Sequence, residues 1–261
     1  MTMTDRHTEP STSETVERTA YVGKRLGIMQ PYFFPYLGYF GLISCTDRWI
    51  VFDPVQYIRK GWMNRNRVLK AGGGEKYVGL TLAPHERTTL IKDMRLAPEP
   101  ARFDLFLRQL DAYKLLRAPH YATITELLRD CFASGTEELV PFLTNSIEKT
   151  CAYLDIPFRA EVYSQMHLRH PAPAHPMEWS LFTCVELGAA EYVNPPGGRE
   201  FFDPARFKAS GVKLLFLQHD LPVFDQRTPG FIPGLSIIDV MMFNTPERIR
   251  EMLMSYTLSE T

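Results

Sequence analysis

Apolar and polar positions alternate along the chain in short blocks whose spacing switches between strand and helix. Arg25-Leu-Gly-Ile-Met29 reads as a short buried strand, Leu37 to Thr46 as a helix opening near Gly38, and Arg48-Trp-Ile-Val-Phe52 as a second strand. A strand, helix, strand unit of this kind builds a parallel sheet through a right-handed connection. Lys76 to Leu82 predicts a further strand, entered through Gly72-Gly-Gly74, which lacks the spacing of a phosphate loop and reads as a flexible turn. Between Ala101 and Leu154, Phe103, Phe106, Leu107 and Leu110, then Ile124, Leu127 and Leu128, then Leu139, Phe142, Leu143 and Ile147 recur at helical spacing, predicting three amphipathic helices. Beyond the connector Pro171 to Pro176 come a helix from Trp179 to Leu187 closed by Gly188, a strand Glu191 to Asn194, a helix Asp203 to Ser210 stopped at Gly211, and a strand Val212 to Leu217. Ser236 to Met242 and Pro246 to Leu253, the latter begun by Thr245, read as closing helices. The expected fold class is α/β: a Rossmann-like parallel sheet with an inserted or appended helical lobe over about residues 100–155. Residues 1–19, rich in Thr, Ser and Glu, are expected to be a disordered leader to a single domain over 20–261.

Composition narrows the function classes. With 29 basic against 30 acidic side chains and a formal net charge of -1, the chain has no general basic coat for nucleic acid, which leaves room only for a local basic face. The four cysteines form no Cys-x-x-Cys pair, so neither a disulfide framework nor a cysteine zinc site is indicated, and reduced thiols are expected. No apolar run is long enough to span a bilayer, and the expected setting is cytoplasmic, without a membrane partner.

Two segments carry candidate chemistry. The loop Gln30-Pro-Tyr-Phe-Phe-Pro-Tyr-Leu-Gly-Tyr39 is far more aromatic than an ordinary turn. It leaves the carboxyl end of the first strand, the edge at which open parallel sheets bind ligands. Gln30, Tyr32, Tyr36 and Tyr39 are candidate polar contacts there, whereas Phe33, Phe34 and Phe40 suit the core. Gln56 to Arg67 follows the second strand at the same edge. It interleaves Arg59, Lys60, Arg65 and Arg67 with Gln56, Tyr57, Trp62, Asn64 and Asn66, which suits a phosphate, nucleotide or carboxylate and equally describes a solvated basic hairpin. Asp53 ends the second strand, as a base, a ribose contact or a magnesium ligand, or as a turn-initiating residue before Pro54. Asn194-Pro-Pro-Gly-Gly-Arg199 can be an anion cradle or a sharp turn, and His219 stands at the comparable edge of a later strand. His167, His170 and His175 lie close in sequence without a zinc-peptidase pattern, and no metal ligand is assigned.

Ile28-Met-Gln-Pro-Tyr-Phe-Phe-Pro-Tyr-Leu-Gly-Tyr-Phe40, Asp53-Pro-Val-Gln-Tyr57, Gly61-Trp-Met-Asn-Arg-Asn-Arg67 and Leu235-Ser-Ile-Ile-Asp239 resemble the WbqC-like family. The resemblance implies a tailoring role beside surface polysaccharide and amino-sugar assembly. The opening unit also resembles the nucleotidyltransferase and class I aminoacyl-tRNA synthetase fold, although Tyr36-Leu-Gly-Tyr39 replaces both histidines of the triphosphate-holding signature with neutral phenols. The leading expectation is therefore an acyl or aminoacyl transferase acting on an amine of a sugar nucleotide or related small metabolite, with aminoacyl-tRNA as one donor. In it Asp53 or a nearby histidine such as His219 removes the amine proton, Asn64, Arg65 or backbone amides stabilise the oxyanion, and the cations, with Arg59, Arg67 and Arg199 among the candidate contacts, hold phosphate. The alternatives are a magnesium-dependent nucleotidyltransferase and a noncatalytic binding module of a biosynthetic complex.

Overall fold

The computed structural model describes residues 25–260, so the expected leader lies outside the described residues. The chain runs β1 (Arg25–Met29), α1 (Leu37–Ser44), β2 (Arg48–Val51), β3 (Arg65–Leu69), β4 (Glu75–Gly79), α2 (Arg102–Arg108), α3 (Asp111–Leu115), α4 (Tyr121–Phe132) and α5 (Leu139–Tyr153). It continues through β5 (Ala160–Val162), α6 (Pro176–Leu187), β6 (Glu191–Asn194), α7 (Pro204–Ala209), β7 (Lys213–His219), α8 (Ile237–Phe243), α9 (Pro246–Leu253) and β8 (Tyr256–Glu260). Six strands form one sheet in the order β5-β2-β1-β6-β7-β8, parallel except for β8, and β3 and β4 form a separate antiparallel hairpin.

Strand order explains how both faces of the sheet are covered. The chain first moves outward from β1 to β2 and β5, then returns to the other side of β1 and proceeds through β6 and β7. With right-handed crossovers, such a reversal sends the connecting helices to opposite faces. Accordingly Leu26, Ile28, Ile50, Tyr192, Leu214 and Phe216 pack with Leu181 and Cys184 of α6 and Phe207 of α7. The alternate strand positions Trp49, Val51, Val193, Leu215 and Leu217 join a larger core with α1, α5, α8, α9 and the helical lobe. Gly27 makes room for this arrangement, since a Cβ there would stand 2.7 Å from the Trp49 ring.

The structure departs from the sequence expectations at several places, among them the edge strand β5, which no expectation covers, and α6, which begins at Pro176 inside the expected connector. The lobe holds four helices, because the chain breaks after α2 and the short α3 turns Tyr113 inward, where its hydroxyl accepts from Leu69 N and donates to Asp239. The strand expected over Lys76 to Leu82 ends at Gly79 and pairs with the preceding basic segment instead of joining the main sheet, because Gly72, Gly73 and Gly74 all take positive φ and fold the chain straight back. Beyond the two closing helices, β8 adds an antiparallel edge whose residues are mostly half-exposed on both sides, a pattern without the one-sided alternation that marks a strand. Cap signals translate directly: Ser236, Thr245 and Asp203 accept from backbone N–H groups at the starts of α8, α9 and α7, and Gly188 ends α6 in the left-handed region.

Asp239 is fully buried in α8, accepting from Tyr113 Oη at 2.9 Å and from Gln226 Nε2 at 2.7 Å. Burial, only partly opposed by these two donors, raises its carboxyl to about 7. A carboxyl that binds its proton more tightly folded than unfolded favours the fold fully below the ordinary carboxylate range and loses that contribution as pH rises through about 7. Between pH 4 and 8 the wild-type protein is therefore expected to lose unfolding free energy in urea titrations. Asp239→Asn, which keeps the shape and an acceptor for Gln226, is expected to flatten that slope; equal slopes in the two proteins would contradict the assignment.

Candidate functional site

The reversal of direction places a switch point between β1 and β6, and a cleft opens there at the carboxyl ends of the strands. It is lined by Met29 at the end of β1 and Gln30 after it, Phe52 after β2, and Asn194 and Pro195 at the end of β6. The central cavity, about 490 Å³, shares Gln30, Phe52 and Pro176 with a neighbouring cavity of about 910 Å³. On its other side it shares Tyr32, Tyr36 and Trp62 with a smaller cavity of about 250 Å³. The three form one continuous groove.

The aromatic loop is held in place by its backbone. Asn66 Nδ2 donates to the carbonyls of Phe33 at 3.1 Å and Phe34 at 2.8 Å, Ser236 Oγ donates to Phe34 O at 2.7 Å, and Phe33 N donates to Trp62 O at 2.9 Å. Phe34 takes φ 38, a conformation costly for a side chain of this size, and these bonds keep it there. Phe33 and Phe34 consequently drive into the lobe, with Phe33 packed edge-on to Phe106 at 5.3 Å between ring centroids. Tyr32 and Tyr36 face the groove. Burial raises the proton affinity of both phenols, and neither hydroxyl has a hydrogen-bond partner among the described residues, so both stand as neutral donors toward the cavity. Tyr39 is buried in α1 and donates to Gln30 O at 3.0 Å, fixing the start of the loop.

Cations mark both ends of the groove. Arg59 and Arg87 line the large cavity with Gln56, Tyr57, His175 and Trp179, while Arg67 lines the small one with its guanidinium already paired with Glu75 and bonded to Gly234 O. None of the groove's wall residues is an Asp or a Glu. The electrostatic field in the groove is set by guanidinium groups, phenols and amides, an environment for an anion carrying a ring. His175 caps α6 by accepting from Met177 N through Nδ1, which in the neutral ring puts the proton on Nε2.

Of the candidates read from the sequence, Gln30, Tyr32, Tyr36, Tyr39, Gln56, Tyr57, Arg59, Trp62, Arg67 and Asn194 come together on the groove's walls. The others are used elsewhere. Asp53 is buried with both carboxylate oxygens occupied by Ser164, at 2.9 Å from N and 2.6 Å from Oγ, and ties β2 to the turn after β5. Asn64 accepts from Tyr57 Oη and donates to Leu80 O, locking the hairpin base rather than presenting an amide to a ligand. Arg65 spends its guanidinium on the carbonyls of Lys60 and Gly61. Arg199 donates to Ser259 Oγ and lies over the Phe216 ring at 4.7 Å, away from the cleft. His219 is packed under α1, where a Cβ on Gly41 would stand 2.6 Å from its ring; Nδ1 accepts from Leu221 N, and burial lowers its proton affinity. The histidine cluster disperses as well: His170 bonds Tyr163, Glu178 and Glu186 serve backbone N–H groups, and no metal-holding group of three or more His, Cys, Asp or Glu occurs among the described residues.

Sequence reasoning passed over Phe52, Arg87, Trp179 and the Pro173 to Pro176 wall. Phe52 ends a strand at the ligand edge and carried a usable signal. Arg87 sits in irregular chain, brought to the groove by Gln56 Nε2 donating to its carbonyl, and nothing local marks it.

The fold and the cleft define a doubly wound, Rossmann-like α/β protein with an open groove at its switch point. The chain belongs to the WbqC-like protein family, which it matches over residues 30–251. It is 27% identical over 229 residues to the uncharacterized protein Rv1507c of Mycobacterium tuberculosis strain H37Rv, an alignment covering 85% of this chain and 94% of that one. No solved structure matches the chain. No helix among the described residues is long and apolar enough to cross a membrane.

Asn66→Ala is expected to lower unfolding free energy by about 1–3 kcal/mol, because the Phe33 carbonyl loses the side-chain donor that satisfies it inside the protein. Urea denaturation measures this, and a variant as stable as wild type would show that the loop holds its shape without the amide.

Proposed function

We propose that the protein is a tailoring transferase that binds a nucleotide-linked amino sugar or a closely related anionic metabolite in the switch-point groove and places an acyl or aminoacyl group on its amine. The observation that carries this reading is the groove's composition: Arg59 and Arg87 in its large cavity, aromatic walls, two unpartnered phenols at the centre and no carboxylate among the wall residues. A diphosphate finds charge-assisted donors in Arg59 and Arg87, and a base or sugar ring finds flat partners in Phe52, Trp62 and Trp179.

Since Asp53, Asn64 and His219 are committed to packing, the chemistry falls to the wall residues. The amine attacks the carbonyl carbon of an activated ester, forming the C–N bond and a tetrahedral oxyanion; the oxyanion then collapses as the C–O bond breaks and the amine proton passes to the departing oxygen. Tyr32 and Tyr36 donate hydrogen bonds to the oxyanion formed between these steps. An aminoacyl-tRNA fits as the ester donor in this scheme. The nucleotidyltransferase alternative draws less support, because the walls offer no carboxylate to seat a magnesium ion beside phosphates. The absence of a carboxylate base on the walls instead makes a binding module the second reading.

Purified protein incubated with a nucleotide-linked amino sugar and an aminoacyl-tRNA or acyl thioester is expected to yield an acylated sugar nucleotide by mass spectrometry. Tyr36→Phe is expected to slow turnover about 100-fold at nearly unchanged affinity. Arg87→Ala is expected to weaken binding about tenfold. Tight binding without product would move the protein to the binding-module reading, and affinity indifferent to Arg87 would remove the groove from either.

A further inference from the structure

The hairpin beside the groove keeps large rings in solvent. Trp62 is 37% exposed and Tyr77 52%, their centroids 6.1 Å apart and their planes inclined by 30°, with Ile58 58% exposed in the turn that precedes Trp62. The two rings are therefore neighbours on one exposed patch rather than scattered apolar spots, with one face of Tyr77 covered by the Arg65 guanidinium. That surface is actively positioned. Lys60 takes φ 62, and the Arg65 guanidinium fastens the carbonyls of Lys60 and Gly61 while lying 4.2 Å from the Tyr77 ring centroid. The Arg67 guanidinium stands 5.7 Å from the Trp62 ring.

Charge gathers on the same element. Gln56 to Lys76 carries six Arg or Lys side chains against one carboxylate, Glu75, in a chain whose formal net charge is -1. Glu75 is taken by Arg67, and Lys76 is matched by Asp111. Arg59, Lys60, Arg65 and Lys70 remain with no carboxylate partner among the described residues, Arg65 being held by backbone carbonyls.

We propose that the Trp62–Tyr77 face is a stacking platform for the unpaired end of a single-stranded RNA. Bases stack on exposed rings, and the surrounding cations meet the phosphates; a protein interface of comparable size would be depleted of lysine at its centre. Unpaired bases are required, because a duplex hides the faces that these rings can stack on. Trp62 is also a wall of the groove, shared with Tyr32 and Tyr36, so a chain end stacked here reaches the phenols directly. The inference rests on the transferase reading for its purpose, as the route by which an RNA-borne acyl ester meets the acceptor, but not for its geometry.

The test is fluorescence anisotropy of the full chain with a labelled single-stranded RNA of about eight nucleotides, within the site sizes usual for stacking folds. Binding is expected to weaken steeply as salt rises, and a blunt duplex of the same sequence is expected to bind at least about tenfold more weakly. Trp62→Ala and Tyr77→Ala, both exposed and checked for unchanged circular dichroism, are each expected to weaken binding about tenfold. No binding at low salt, or alanine variants that bind as well as the parent, would overturn the proposal. Sugar-nucleotide binding measured on the parent protein separates the two readings: if it persists while RNA binding fails, only the platform is lost; if it fails while RNA binding persists, the transferase reading is lost.

Discussion

One buried amide holds together the parts of the molecule that meet at the cleft. Asn66 sits on β3, donates both amide protons to the carbonyls of Phe33 and Phe34, which fastens the hairpin to the aromatic loop, and accepts from Arg67 N at 2.8 Å. Ser236 adds α8 to the same junction through Phe34 O. The left-handed backbone at Phe34 lets two consecutive phenylalanines enter the core while Tyr32 and Tyr36 stay at the groove. Without that clamp the loop has no reason to keep a strained turn, and its rings no reason to divide between core and cavity.

The second determinant is what the groove lacks. Among its wall residues there is no carboxylate, while Arg59 and Arg87 stand in the large cavity and Arg67, paired with Glu75 from outside the walls, stands in the small one. The acid candidate at the sheet edge, Asp53, is engaged by Ser164, and two further acids are likewise bonded within the protein: Asp239 with Tyr113 and Gln226, and Glu178 with the start of α6 and Arg206. Folding thereby sorts acids into structural bonds and leaves cations and phenols facing the cavity, which favours an anionic ligand and chemistry based on hydrogen-bond donation.

Much of this was legible in the sequence wherever the signal is local. Strand and helix periods, the caps at Asp203, Ser236 and Thr245, and the Gly188 stop each depend on a few neighbouring residues and reappear in the fold. The aromatic loop was readable because four rings in so short a connection have no economical turn function. Partners distant in sequence were not readable. Asp53 before a proline looks the same as a base or a turn, and only the fold brings Ser164 to it across 111 residues. Asn64 and Arg65 look like ligand readers until the hairpin pairs and claims them, and His219 ends a strand on the side that faces α1. Arg87 has no local mark at all.

The most direct measurement is a crystal structure of the protein soaked with a nucleoside-diphosphate amino sugar. The expected result places the diphosphate within hydrogen-bond reach of Arg59 and Arg87, with the sugar amine beside Tyr32 and Tyr36. A ligand bound outside the switch-point groove, or lying in it with its phosphates away from both arginines, would contradict the reading.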